Sequence, residues 1–459
     1  MENEDGKPKD IDISMVDIFI LIIQDNKYFN EICKRTNKSF LPVINKPILF
    51  YQLEFLERQK INKVKILIKE DDIETKRALD TYQGPIKYDF ITITKDKLGL
   101  FDVIKEKLDY KNFILIEGDS LLSFNLWELI DNHIDNNNIV SLVLQQKENK
   151  LNCLKKLREK TVDIFGIDFE HNNRVVYYRK QNLDDHRNIN IKKQLLNHCP
   201  KMNFLQKYID IGLYIFNDSI FDILENKKFK EKISELNIES IREDFIPFLI
   251  KQTFSKTLNE ILINKYQNQN LLLKANRIKI GAKLIQNADG ITSEYAHKIY
   301  DYPSYLSIIE EIQKPYDKIK PIFFQTKNNA KNYFSNFKEK IIQNLENNKR
   351  YNDGIPELET ISDDCYIADK INKIEQNSKI IKTVTDKNLK VGENTEIINC
   401  IIGIDSAIGN NCKLKNCIIG DNVIIEDDSE ISESIIGDNY NFKNEEKTPI
   451  SEQILYQLI

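Results

Sequence analysis

If this chain handles a polyphosphate, the place to do so is the turn Gln24–Glu31, which follows the first apolar run, Ile18–Ile23. Cradling an anion at such a turn needs backbone N–H groups at close approach, and side chains there stand in the way. The turn reads QDNKYFNE: it holds no glycine, and Asp25 adds a negative charge facing any phosphate. Glycine is scarce throughout, with 14 in 459 residues, where ~7% is usual. Five of them (Gly392, Gly403, Gly409, Gly420 and Gly437) fall within residues 392–437. The seven cysteines are an odd number, scattered, and form no C-x-x-C pair. They therefore read as thiols of a reducing, cytosolic compartment rather than as a zinc site or a disulfide framework. The histidines His133, His171, His186, His198 and His297 lie mostly in polar stretches without metal-ligand spacing, and read as surface residues.

The elements that would position this chemistry are legible as alternation. Apolar runs Ile18–Ile23, Val64–Ile68, Ile91–Ile93, Phe113–Ile116 and Ile139–Leu144 read as buried strands, and Ile48–Gln59 between the first two as an amphipathic helix. Alternating strands and helices imply an α/β, Rossmann-like domain with a mostly parallel sheet over residues 15–300. Such sheets bind ligands at the carboxyl ends of their strands. The Asn/Lys-rich stretches at roughly 179–206 and 225–240 read as solvated excursions, and residues 1–14 as a disordered amino terminus.

Toward the carboxyl end the pattern changes. Three 17-residue segments, Val391–Ala407, Ile408–Ile424 and Ile425–Asn441, align without gaps. Aliphatic residues recur at offsets 0, 6 and 11: Val391, Ile397, Ile402, then Ile408, Leu414, Ile419, then Ile425, Ile431, Ile436. A weaker copy uses Ile374 and Ile380, and Ile361 with Ile367 suggests another. Each copy reads as one coil with three short faces, stacked so that Asn399 meets Asn416 and Cys400 meets Cys417. The cysteine pair reads as a small core ladder. Gly403, Gly420 and Gly437 at offset 12 are expected to turn corners with positive φ. Helical spacing is absent, and the repeat resembles the hexapeptide repeats of parallel β-helices, which wind left-handed. The coil is placed at 357–441, a linker with helical segments at 301–356, and a tail at 442–459.

The element LPVINKPIL (Leu41–Leu49) with its following helix resembles the sugar-phosphate nucleotidyltransferases. The resemblance extends to Gly118-Asp119, to DIGLYIF (Asp210–Phe216) and to DFIPFLI (Asp244–Ile250). It sets Lys38 at the family's lysine position and Asp119 at the carboxylate that holds magnesium. Of the family's second glycine stretch, Asp96–Phe101 retains only Gly99, and no second metal carboxylate is evident. Gln24, Asp25, Lys38 and Asp119 are therefore vestigial pocket positions, with no catalytic residue, no metal and no cofactor.

A nucleotidyltransferase-like domain followed by a β-helix occurs in active pyrophosphorylases. It also occurs in a degenerate branch, the gamma and epsilon subunits of 2B, the exchange factor for eukaryotic initiation factor two. The chain resembles the gamma family. It ends 22 residues after Gly437, whereas epsilon continues into a helical exchange domain. The resemblance implies an accessory subunit that supports GDP/GTP exchange on initiation factor two. Its partners would be the catalytic epsilon subunit and the alpha, beta and delta subunits. The alternative is an active sugar-phosphate nucleotidyltransferase.

Composition narrows the rest. With 66 Lys+Arg against 71 Asp+Glu the net charge is −5, which offers no general argument for nucleic-acid binding. Apolar runs reach only six residues, whereas a membrane helix needs about 20. The charged start MENEDGKPKD is not a signal peptide. Residues 314–350 carry nine basic residues against three acids, interleaved with aromatics such as Phe323 and Tyr333. That pattern can mark RNA binding, but reads here as a segment bridging the two domains.

Overall fold

A computed structural model describes residues 16–22, 29–33, 37–43, 46–70, 72–93, 99–147, 161–182, 191, 193–227, 229–231, 240–253, 279–286, 294–312, 365–367, 373–443, 450–451 and 454–455. Gln24, Asp25, His186 and the stretches 1–14 and 314–350 lie outside them. The chain divides into two compact units, one of residues 1–24, 52–148 and 160–297, the other of residues 25–51, 149–159 and 298–459.

The first unit is built on one ten-stranded sheet. Its strands are β1 (Val16–Leu21), β2 (Lys63–Lys69), β3 (Lys87–Ile93), β4 (Asn112–Glu117) and β5 (Val140–Gln146). They continue with β6 (Thr161–Asp168), β7 (Arg174–Asn182), β8 (Asn203–Leu205), β9 (Tyr208–Asn217) and β10 (Ile280–Ile285). Helices α1 (Ile48–Arg58), α2 (Ile73–Leu79), α3 (Gly99–Glu106) and α4 (Leu126–Asp135) alternate with the early strands. The strand order is β8-β6-β7-β10-β5-β9-β4-β1-β2-β3. The run β4-β1-β2-β3 is parallel, as the alternation predicts. Beyond it the sheet is mixed: β9 runs antiparallel to both β4 and β5, and β7 antiparallel to β6 and β10. The sequence signal for parallel strands comes from crossover helices, and the chain from β6 to β7 returns directly, without one. Part of the expected solvated stretch also joins the sheet, with β8 pairing with β6. Phe19, Phe113, Tyr214 and Phe216 lie in its core.

In the second unit, strand pairs recur every 17 residues: Val391 beside Ile408 beside Ile425, Ile397 beside Leu414 beside Ile431, and Ile402 beside Ile419 beside Ile436. They form three parallel sheets of six, five and five strands. The nine aliphatic residues of the repeat are the coil's buried interior. The earlier copy is confirmed at Ile374 and Ile380, but Ile367 pairs with Thr385 on the third face, one residue out of the 17-residue period. Pairing runs on past 441 to Ile450–Ser451 and Ile454–Leu455.

The corners differ from expectation. Positive φ falls on Asn394, Asn411 and Asp428, on Asn399, Asn416 and Glu433, and on Asp405, Asn422 and Asn439, three per coil, and not on the offset-12 glycines. Asn and Asp are the residues other than glycine that best tolerate this region. Gly403 and Gly420 answer a different need. A Cβ on Gly420 would lie 2.2 Å from Asp438 Oδ1 and 2.8 Å from the Asp438 nitrogen, and one on Gly403 would lie 2.7 Å from the Gly420 carbonyl carbon. The glycines let successive coils stack. The corner side chains add a ladder, with Asn399 Nδ2 donating to Asn416 Oδ1 at 2.8 Å.

The third face carries a second layer of isoleucines. Ile401, Ile418 and Ile435 alternate with the interior residues and so point outward, yet all are buried. Beside this face the Glu31 carbonyl accepts from the Asp438 N–H at 3.2 Å. Phe29 packs edge-on against Tyr302 and Tyr305, with ring centroids 4.9 and 6.3 Å away. Part of the chain after β1 is therefore fastened to the coil. Among the described residues no helix is long and apolar enough to cross a membrane.

Candidate functional site

Strand β4 delivers Gly118-Asp119 to the carboxyl edge of the parallel run, where the Gly118 N–H donates to the Leu21 carbonyl at 3.1 Å. Gln52 on α1 clamps this turn by donating from Nε2 to the carbonyls of Glu117 (2.8 Å) and Ser120 (2.9 Å). The Ser120 hydroxyl donates to the Ile211 carbonyl at 2.6 Å. Asp119 itself is 0% exposed, so in this conformation its carboxylate is closed to a solvent-borne metal–polyphosphate.

Lys38 belongs to the other unit. It opens the one-turn helix Lys38–Phe40, capped by Asn37, whose Oδ1 accepts from the Ser39 N–H at 3.0 Å. The neighbouring LPVINKPIL element is a small hairpin, Pro42–Val43 against Lys46–Pro47. Tyr51 donates to the Val43 carbonyl and Tyr305 to the Pro42 carbonyl, each at 2.7 Å. Its two prolines and its tyrosine struts give this motif a structural job. Lys38 and Asp119 thus fall in separate units, and the turn that carries each is held by hydrogen bonds of its neighbours.

The sequence reading missed a buried ionic cluster in the sheet unit. The Arg242 guanidinium lies 3.6 Å from Asp163 on β6, with both side chains largely buried. Asp163 Oδ1 accepts from Tyr178 at 2.8 Å, and Asp210 Oδ2 on β9 accepts from Tyr214 at 2.9 Å. Burial pulls the guanidinium's pKa down, but Asp163, Asp210 and Glu117 more than offset it and hold the group charged. Burial pushes the Asp210 carboxyl up to about 6, against the opposing pull of Arg242. Gly212 lets β9 pass Glu117: its φ is +77°, its N–H donates to Asp210 Oδ1 at 2.9 Å, and a Cβ would lie 2.4 Å from Glu117 Oε2. The signal was present as single charges inside apolar strands, D in DIGLYIF and E in FILIEGD. Nothing local pairs them with Arg242, which lies far along the chain from both.

Among the described residues, no group of three or more His, Cys, Asp or Glu side chains is arranged to hold a metal ion. The carboxylates of the sheet's interior are answered by the chain's own guanidinium. The cysteines behave as a core ladder: Cys400 and Cys417 are fully buried, and the Cys417 N–H donates to the Cys400 sulfur at 3.5 Å.

Two histidines correct the sequence reading. His133 and His297 are buried, while His171 is exposed. His133 sits on the inner face of α4, where its Nδ1 lies 2.9 Å from the Ser141 hydroxyl, and burial drives its pKa down to about 4. Its neutral form is therefore favoured by folding. Stability from this site is complete above the free-histidine value of about 6.5 and lost as pH falls toward 4. Asp210 has the opposite sign: its raised pKa adds stability as pH falls from about 6 toward 4. In urea titrations of intact protein, Asp210→Asn is expected to remove the opposing gain and steepen the acid loss. His133→Gln should flatten it.

The family "GlmU-like, C-terminal hexapeptide" matches residues 356–449, which identifies the coil as a left-handed β-helix. Over 229 residues the chain is 24% identical to translation initiation factor eIF2B subunit gamma of Dictyostelium discoideum, covering 46% of this chain and 51% of that subunit. Over 282 residues it is 24% identical to the same subunit of Schizosaccharomyces pombe, covering 58% of each. The chain is related to eIF2B gamma subunits. The resemblance read from its motifs is borne out, and the matches span about half the length of those relatives. It is also 24% identical over 241 residues to D-glycero-alpha-D-manno-heptose 1-phosphate guanylyltransferase of Aneurinibacillus thermoaerophilus. That match covers 51% of this chain and 89% of the enzyme, and supports a nucleotidyltransferase-like sheet unit.

Proposed function

We propose that the chain is an accessory subunit of the guanine-nucleotide exchange complex that acts on eukaryotic initiation factor two, and supports translation initiation in the cytosol. It pairs with the catalytic epsilon subunit, assembles with the alpha, beta and delta subunits, and helps to dock the substrate factor. The observation that carries this reading is the likeness to eIF2B gamma subunits of two organisms. The buried Asp119 and the internally neutralised carboxylates around Arg242 support a role without nucleotidyl transfer. Gln24, Asp25, Lys38 and Asp119 are remnants of a pocket on this account. Exchange needs no acid, base or metal from this subunit. It needs a surface that binds the nucleotide-free factor more tightly than the loaded one.

The test is recovery of the tagged chain from its own cells. Stoichiometric exchange-factor subunits, with initiation factor two as a weaker companion, are expected. Recovery as a lone protein would overturn the proposal. A second reading, an active sugar-phosphate nucleotidyltransferase, is favoured by the 89% coverage of the guanylyltransferase. It requires pyrophosphate release from a nucleoside triphosphate, a sugar phosphate and magnesium, and background rates are expected.

A further inference from the structure

At the amino-terminal edge of the parallel strands, opposite the end that carries Asp119, the sheet unit holds a cleft of about 430 Å³. This volume falls in the range of small-molecule sites. Its floor is aliphatic, formed by Ile18, Val64 and Ile114 at the starts of β1, β2 and β4, and Trp127 on α4 forms a wall. The indole is fixed, because its N–H donates to the Gln59 carbonyl at 3.0 Å. Asn125 caps α4 by accepting from the Trp127 and Glu128 N–H groups.

Every charge lining this cleft is matched within the protein. Lys65 Nζ lies 2.6 Å from Asp17 and 2.8 Å from Asp109, and Lys63 lies 2.5 Å from Asp89. The other Asp17 oxygen accepts the N–H groups of Asp109 (2.7 Å) and Tyr110 (2.9 Å). An anionic ligand would find no unpaired cation, and a cationic one no unpaired carboxylate. The polar groups left among the described lining residues are the neutral Asn62 carboxamide and the Tyr110 hydroxyl, both on exposed residues. A fixed indole favours a flat partner, and a carboxamide can both donate to and accept from one edge of it.

We propose that this cleft binds an uncharged planar heteroaromatic group, held against Trp127 and hydrogen-bonded at its edge by Asn62. The proposal is independent of the reading of the chain as an exchange-factor subunit. Trp127 is the single tryptophan of the chain, so its emission reports the site directly.

The test is a titration of the full chain with adenosine, excited at the red edge of tryptophan absorption, with adenosine monophosphate and glucose as comparisons. Saturable quenching by adenosine is expected, with weaker binding of the monophosphate and no response to glucose. Asn62→Ala, at an exposed position, should weaken adenosine binding by about fivefold, as loss of one net hydrogen bond predicts. Ile130→Phe, which fills the cleft from α4, should abolish it while the thermal transition is retained. No saturable quench in the wild type, equal binding by the folded Ile130→Phe variant, or tighter binding of the monophosphate would each overturn the proposal. Should Ile130→Phe fail to fold, the Asn62→Ala comparison decides alone.

Discussion

Arg242→Met is expected to lower the stability of the sheet unit by about 3–5 kcal/mol, the usual cost of removing one partner from a buried ionic group. The Met stem keeps most of the volume, so the loss comes from the three carboxylates it strands: Asp163, Asp210 and Glu117. Urea unfolding followed by Trp127 emission reads this unit, since Trp127 lies on α4. Arg242→Lys should recover only part, because a point charge on a flexible stem cannot reproduce the planar fork. Adding Asp163→Asn to Arg242→Met should restore stability by removing the nearest stranded charge, at 3.6 Å in the parent. The loss should shrink as pH falls toward 6, because the Asp210 carboxyl, freed of the downward pull of Arg242, takes up its proton at higher pH than in the parent. A loss under about 1 kcal/mol, as for an exposed pair, would mean that water reaches the cluster.

The second large effect lies in the coil. Gly420→Asn is expected to cost about 3 kcal/mol, at the upper end of ordinary overpacking, because its Cβ would meet the Asp438 backbone nitrogen at 2.8 Å. Asn is chosen because it is well suited to a left-handed corner. Were Gly420 such a corner, the substitution would be nearly neutral. The reverse change, Asn422→Gly, places glycine at a true corner with φ +55° and should cost only a few tenths of a kcal/mol. Hydrogen exchange of the coil amides checks both. Protection lost in Asn422→Gly and kept in Gly420→Asn would reverse the assignment of the two positions.

These two sites also mark where the sequence was legible. The coil was readable because each face contributes one inward residue at a fixed offset, so a single 17-residue period carried fold and core together. The same letters admitted two reasons for a glycine, conformation or clearance, and only the distance to the next coil separates them. The doubled isoleucines at Ile401–Ile402, Ile418–Ile419 and Ile435–Ile436 held further information, since a strand buried on both faces loses its alternation. They announced that the third face is covered. In the sheet unit the central strands were readable from their apolar runs. The antiparallel return through β6, β7 and β9 was not, because strand direction depends on connections rather than on composition. His133 was misread for a related reason. Its neighbours in LIDNHID are polar, yet α4 turns His133 onto the face that packs against Ser141. The Arg242 cluster draws on five separate elements, and no local window contains it.

On the proposed function, the chain acts through its surfaces, and the buried Asp119 has no part in it. The most direct test is the rate of GDP release from initiation factor two, measured with exchange complex assembled with and without this chain. The account predicts faster release when the chain is present, undiminished by Asp119→Ala in the assembled complex. An identical rate without the chain would contradict it.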